Sequence, residues 1–172
     1  ALEVLYLPGL KQKVNAPDIK RLEMFVEKKG QEGLKEEKII QDNQALAGKD
    51  VLTQRIMQRL VLKILQYDQE HAPLTITGLE REDLTYQTSL PGGATVKLSG
   101  VVDRIDEKDG VTRIVDYKTG MVKLATSRQM TKPIDEYIEG YFDDPDLKSG
   151  FQGYFYGLLG KHILKGEFQV GI

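Results

Sequence analysis

Two stretches of the chain carry side chains that could do chemistry together: Gly100-Val101-Val102-Asp103-Arg104-Ile105-Asp106 and Ile114-Val115-Asp116-Tyr117-Lys118-Thr119-Gly120. Asp103 ends one apolar, β-branched run and Asp116 nearly ends the next. Lys108-Asp109-Gly110 between them reads as a hairpin turn, so strand register can bring both carboxylates to one end of a sheet. Lys118 follows Asp116 by two residues, and alternate side chains of an extended strand share a face. Two carboxylates and an ammonium converging in this way suit hydrolysis of a phosphodiester. Carboxylate oxygens are hard ligands for Mg²⁺ or Mn²⁺. Such a cation polarises a phosphoryl oxygen and lowers the pKa of a coordinated water. Lys118 would offset charge on the attacking hydroxide or on the pentavalent transition state. Without the cation, the carboxylates would repel each other and the phosphate.

The elements that must position these groups can be read from periodicity. Pro17 suits a first helical turn, with Leu22, Phe25 and Val26 on one apolar face, and Gly30 to Gly33 breaks that helix. A stronger helix runs from about Asp50, as its cap, to His71. Leu52, Ile56, Leu60 and Ile64, with Met57, Val61 and Leu65, recur there at helical spacing, and Pro73 lies beyond its end. Strands are expected at Leu74–Ile76 with Leu79, Leu84–Thr88, Ala94–Val102 and Val111–Tyr117, with a turn at Pro91-Gly92-Gly93. Residues 121–149 read as a long loop with one helical turn. A helix from about Ser149 to Leu164 and a strand at Phe168–Ile172 follow. Helices, a three- or four-stranded meander, a helix and a strand together predict an α/β fold with a mixed sheet.

Composition narrows the field. The 172 residues are the size of one domain, and 40% of them are hydrophobic, enough for a core. No apolar run approaches the ~20 residues of a membrane helix, and no secretory signal is visible, so the cytoplasm is the expected compartment. With no cysteine, disulfides, thiolate zinc sites and an iron–sulfur cluster held by these residues are excluded. The formal charge of -2 lacks the excess of basic residues usual in a stand-alone nucleic-acid binder. A catalytic module beside a separate DNA-holding motor has less need of one.

The order Asp103, then Asp116-x-Lys118, resembles the signature of the PD-(D/E)XK nuclease superfamily. The wording Gly-x-x-Asp-Arg-Ile-Asp and Asp-Tyr-Lys-Thr-Gly is similar to the RecB/AddB-type exonuclease branch, where a Gln-x-x-x-Tyr helix follows the lysine. Gln152-Gly153-Tyr154-Phe155-Tyr156 fits that helix. The resemblance covers roughly residues 74–172. It implies a restriction-endonuclease-like fold, a central mixed sheet flanked by helices, over a single domain: a helical part of about 1–72 and a catalytic sheet and helix of about 73–172. It also implies that Asp103 and Asp116, helped by the Tyr117 carbonyl, hold Mg²⁺ or Mn²⁺, and that Lys118 orients the nucleophilic water. Gln152 and Tyr156 would brace the site or contact the DNA backbone. The implied substrate is DNA, a single-stranded end delivered by a helicase domain or subunit in repair or recombination. In that branch an upstream helix, roughly Gly-x-x-x-His-x-x-Leu-Glu, brings a histidine to the metal. Ala1-Leu2-Glu3-Val4-Leu5-Tyr6 is similar to its tail, and Phe168–Ile172 reads as a strand stopped without a turn. The expectation is a fragment cut at both ends, with weak or no catalysis of its own.

Each feature also has a plainer reading. Asp103-Arg104-Ile105-Asp106 can be a charged hairpin edge and Asp116 to Gly120 a strand ending in a turn. Arg104 and Asp106 are expected to form local ion pairs. Glu80, opening Glu80-Arg81-Glu82-Asp83, can face the site or mark a solvated strand end. With Phe151, Tyr154, Phe155 and Leu159 nearby, Tyr156 can be core. His71 and His162 read as structural or surface residues rather than zinc ligands. Two other functions stay open: a non-catalytic DNA-binding or scaffold module on the same fold, and a metal-dependent hydrolase of another phosphate ester. The first would typically lack a metal-binding carboxylate or the lysine. The second would favour a glycine-rich phosphate cradle or a histidine-rich site, and neither is seen.

Overall fold

A computed structural model describes residues 5–28, 32, 48–123, 134–164 and 166–171. The start of the helix tail expected at Ala1–Tyr6, most of the Gly30–Gly33 break, part of the 121–149 loop and Ile172 lie outside them.

The described helices are α1 (Ala16–Glu23), α2 (Lys49–His71), α3 (Ile134–Asp143) and α4 (Lys148–Ile163), and the strands are β1 (Lys13–Val14), β2 (Leu74–Ser89), β3 (Thr95–Lys108), β4 (Val111–Val115) and β5 (Phe168–Gly171). The strands hydrogen-bond in the order β1-β2-β3-β4-β5. β1 runs antiparallel to β2 and β4 parallel to β5, so the sheet is mixed, as the order of elements predicts. No helix among the described residues is long and apolar enough to cross a membrane. The chain divides into two compact units, Ala1–Leu79 with Glu107–Asp109, and Glu80–Asp106 with Gly110–Ile172.

In the first unit, Pro17 stands in the opening turn of α1, and Asp18 Oδ2 accepts the Asn15 N–H at 3.1 Å. α1, α2 and the start of β2 bury Ile19, Val61, Leu65, Leu74 and Ile76 in one core. The buried face of α2 differs from the expected stripe. It consists of Gln54, Val61, Leu65 and Asp68, whereas Leu52 and Ile56 are exposed. Asp68 is tolerated in the core because the Tyr6 hydroxyl donates to it at 2.5 Å. A search for apolar spacing alone misses such a position. The residue before α2 is Gly48, not Asp50, which lies inside the first turn.

The strands are longer than expected for a related reason. Leu74–Ile76 with Leu79, and Leu84–Thr88, are one strand, β2, with the charged run inside it. Arg81 and Asp83 share a face at alternate positions and form a bidentate pair, and Glu80 takes a left-handed φ of 45°. Glu80 is therefore exposed within a strand rather than at its end. β3 does not stop at Val102 but continues through Arg104 and Asp106 to Lys108. Both side chains are buried and neutralise each other at 2.5 Å, as the ion-pair reading expects. Arg113 from β4 adds contacts of 2.6 and 3.0 Å to Asp106. Asp109 (φ 53°) and Gly110 (φ 80°) make the two-residue turn between β3 and β4.

In the second unit, the segment read as a loop contains α3 and a short 3-10 turn, Pro145–Leu147, where the Asp144 carboxylate accepts the Asp146 N–H at 2.9 Å. α4 then lays Tyr156 and Leu159 against Leu84, Val102, Ile105 and Ile114. A Cβ on Gly160 would stand 2.8 Å from Ile114 Cδ1 and 3.0 Å from Phe168 Cε2, so glycine permits the close approach of α4 to β4 and β5. Gly160→Ala gains about 1 kcal/mol of helix propensity but costs about 1–3 kcal/mol in overpacking. A net loss of stability is expected in a denaturant melt; a variant more stable than the parent would show that the contact is loose.

Candidate active site

The end of β4 is where the chemistry-bearing side chains meet. Asp116 follows β4 directly, and its N–H still donates to Gly171 O of β5 at 3.0 Å, which fixes the backbone at the start of the motif. Its side chain is 5% exposed. Oδ1 accepts from Gln152 Nε2 at 3.0 Å and lies 3.3 Å from the Tyr156 hydroxyl. Oδ2 is buried without a hydrogen bond and contacts the Lys118 ammonium as an ion pair. The regular strand stops at Val115, so Asp116 and Lys118 converge just beyond the strand itself, where the Asp116 N–H still bonds to Gly171 O.

Gln152 joins these groups. Its Oε1 accepts from Lys118 Nζ at 2.6 Å, and its Nε2 donates to Asp116 and to Tyr156 Oη, the latter at 2.7 Å. The opposite amide orientation would set oxygen against carboxylate and NH₂ against ammonium, so the network fixes the amide. The single O–H of Tyr156 has two acceptors in reach; the Val101 carbonyl at 2.7 Å is the closer and takes it. Burial raises the Tyr156 pKa, opposed by the Gln152 hydrogen bond and reinforced by the Asp116 carboxylate. The buried Tyr156 ring also belongs to the core, so the two readings of this residue are compatible.

Asp103, half-buried in β3, accepts the Tyr117 N–H on Oδ2 at 2.7 Å. Burial raises its pKa; the Tyr117 N–H opposes this, the Asp116 carboxylate adds to it, and Lys118 opposes it. Asp103, Asp116 and Lys118 therefore feel one another's charge. Tyr117 is held at its other end by Arg104, whose Nη1 donates to the tyrosine hydroxyl at 2.9 Å. Sequence reasoning assigned Arg104 to ion pairing alone. Nothing in its type marks a hold on Tyr117; only the spatial pairing of the two strands reveals it.

The donors fit a hard divalent cation. The buried Asp116 Oδ2 accepts no hydrogen bond but meets the Lys118 ammonium as an ion pair, so a cation would share it with Lys118, and no hydrogen bond within the cluster engages Asp103 Oδ1. Among the described residues no group of three or more His, Cys, Asp and Glu converges, so water would have to complete the coordination, as Mg²⁺ generally allows. His71 stacks on Tyr67 and His162 on Tyr86, with ring centroids 3.9 and 4.0 Å apart.

A family model of the PD-(D/E)XK nuclease superfamily matches residues 4–167. The chain belongs to the PD-(D/E)XK nuclease superfamily. The mixed sheet with its helices is accordingly a restriction-endonuclease-like fold, and members of this superfamily are generally nucleases that use divalent metals such as Mg²⁺. No curated protein and no solved structure matches the chain. Within this PD-(D/E)XK domain, the cluster at the end of β4 is the candidate site.

Proposed function

We propose that this chain is a Mg²⁺- or Mn²⁺-dependent deoxyribonuclease, the RecB-like exonuclease module of a helicase–nuclease that degrades single-stranded DNA ends in repair or recombination. The observation that carries the reading is the position of the Lys118 ammonium between Asp116 Oδ2 and Gln152 Oε1, beside a second carboxylate that senses its charge. Asp103, Asp116 and the Tyr117 carbonyl would hold the cation, which when bound supplies Lewis-acid polarisation of the phosphate and of a water. Lys118 orients that water and offsets developing negative charge. Gln152 holds Lys118 and Asp116 at fixed separation, and Tyr156 fixes Gln152 through the anchor on Val101 O. A scaffold module on this fold has no need of a lysine held in this way.

The test is release of labelled nucleotide from single-stranded and duplex DNA by the full-length protein with Mg²⁺, Mn²⁺ or EDTA. Metal-dependent release, faster from single strands and from ends, is expected; cleavage unaffected by EDTA would overturn the reading. Gln152→Ala leaves the Lys118 ammonium and Asp116 without their common partner. Loss of a residue orienting metal-site groups commonly costs 10- to 100-fold, so a fall of about that size in kcat, with an unchanged circular dichroism spectrum, is expected. Full activity in Gln152→Ala would remove that residue from the site.

A further inference from the structure

Asp103 and Arg104 are consecutive residues of β3, and both hold Tyr117, the residue between Asp116 and Lys118. Asp103 Oδ2 accepts the Tyr117 N–H at 2.7 Å, and Arg104 Nη1 donates to the Tyr117 hydroxyl at 2.9 Å. We propose that Arg104 and Tyr117 are positioning residues of the cation site: the guanidinium fixes the phenol, and the tyrosine N–H turns the Asp103 carboxylate so that Oδ1 is left for the metal. The proposal rests on the metal-site reading above and extends it to what aims the donors.

Three features of the geometry carry it. The donors of a guanidinium form a planar fork with fixed directions, so a partner on one nitrogen aims the other. Asp106 meets Arg104 Nη2 at 2.5 Å, which sets Nη1 toward Tyr117. Asp106 is held in turn at 2.6 and 3.0 Å by Arg113 of β4, the strand that leads into Asp116 and Tyr117. The phenol is thereby referenced to both strands that bring the carboxylates together. Next, β4 ends at Val115, two residues short of Tyr117, so the hold at two points takes over where the strand stops. Finally, Arg104 and Asp106 are buried. A buried ion pair stabilises little that apolar side chains of similar volume would not, so stability alone does not call for an arginine here. An apolar side chain cannot donate along a fixed direction, and groups that hold a metal need placement to within about 0.5 Å.

The test needs no DNA and no turnover. Mn²⁺ binding to the full-length protein is followed by electron paramagnetic resonance of the free ion, and hydrogen exchange of the residue-117 amide by NMR. Tyr117→Phe deletes the hydroxyl and keeps the ring. It should weaken Mn²⁺ binding about tenfold, the usual cost of losing a group that orients metal ligands, and speed exchange at residue 117 by about as much, with an unchanged circular dichroism spectrum. Arg104→Lys keeps a charge beside Asp106 without the planar fork, and should weaken Mn²⁺ binding by a similar factor. The two changes together should cost no more than either alone, because both break the same contact. Ile163→Ala, which removes packing against the same core as Val102 and Ile105, should lower Tm and leave Mn²⁺ affinity unchanged. Parent-like affinity and exchange in Tyr117→Phe, additive losses in the double variant, or an equal loss of affinity in Ile163→Ala would each overturn the proposal. A parent that binds no Mn²⁺, with exchange at residue 117 still faster in Tyr117→Phe, would overturn the metal-site reading instead and support the hold on Asp103.

Discussion

Asp116→Asn is expected to lower metal-dependent DNA cleavage by at least about a thousandfold while leaving DNA affinity within a few-fold of the parent. The estimate follows from a single pre-placed electrostatic group being worth about 10²–10³ in rate, with a cation ligand lost as well. Asparagine keeps an oxygen where Gln152 Nε2 donates at 3.0 Å, so the fold and Gln152 are retained. What disappears is the charge that Oδ2 presents to Lys118 and to a cation. Single-turnover cleavage and fluorescence anisotropy on the same preparation separate the two quantities. Activity that survives would place the metal site elsewhere.

Asp106→Ala is the second large effect, and it concerns stability. Asp106 is 0% exposed and sits between Arg104, 2% exposed, and Arg113. Removing it takes from a buried guanidinium the carboxylate it pairs with at 2.5 Å, a change that costs about 3–5 kcal/mol. At about 2–4 °C per kcal/mol for a chain of this size, Tm should fall by roughly 10 °C. Replacing Arg104, Asp106 and Arg113 together by Met, Leu and Met removes every charge of the group. This can restore most of the stability, because desolvation of a buried ion pair offsets much of its attraction. The restored protein would still lack the Arg104 bond to the Tyr117 hydroxyl. A Tm within a degree of the parent for Asp106→Ala would show that water reaches Arg104.

How much of this was legible in the sequence depends on the kind of residue. The turn at Asp109-Gly110, the helix bearing Gln152 and Tyr156, and the strand at Phe168 announce themselves through left-handed turn residues or periodicity. Asp116-x-Lys118 was legible as a pattern because extended backbone puts alternate side chains together. β3 past Asp103 and β2 through Arg81 and Asp83 were not. There the strand carries charges, and their neutralisation depends on partners at alternate positions or on the neighbouring strand, which composition does not reveal. The buried Asp68 in α2 failed to register for the same reason, since its partner Tyr6 is remote in sequence.

The parallel pairing of β4 with β5 has a consequence in time. The amide of Asp116 is tied to Gly171, and Thr112 to Val115 are registered against Phe168 to Gly171. Everything else in the cluster is encoded between Val101 and Tyr156. A nascent chain emerging from the ribosome therefore exposes both carboxylates, the lysine and the glutamine before the strand that anchors their backbone has been made. Pairings between segments so distant in sequence form late, because loop closure must precede the contacts that reward it. The cluster at the end of β4 is thus completed only once β5 has been made and paired.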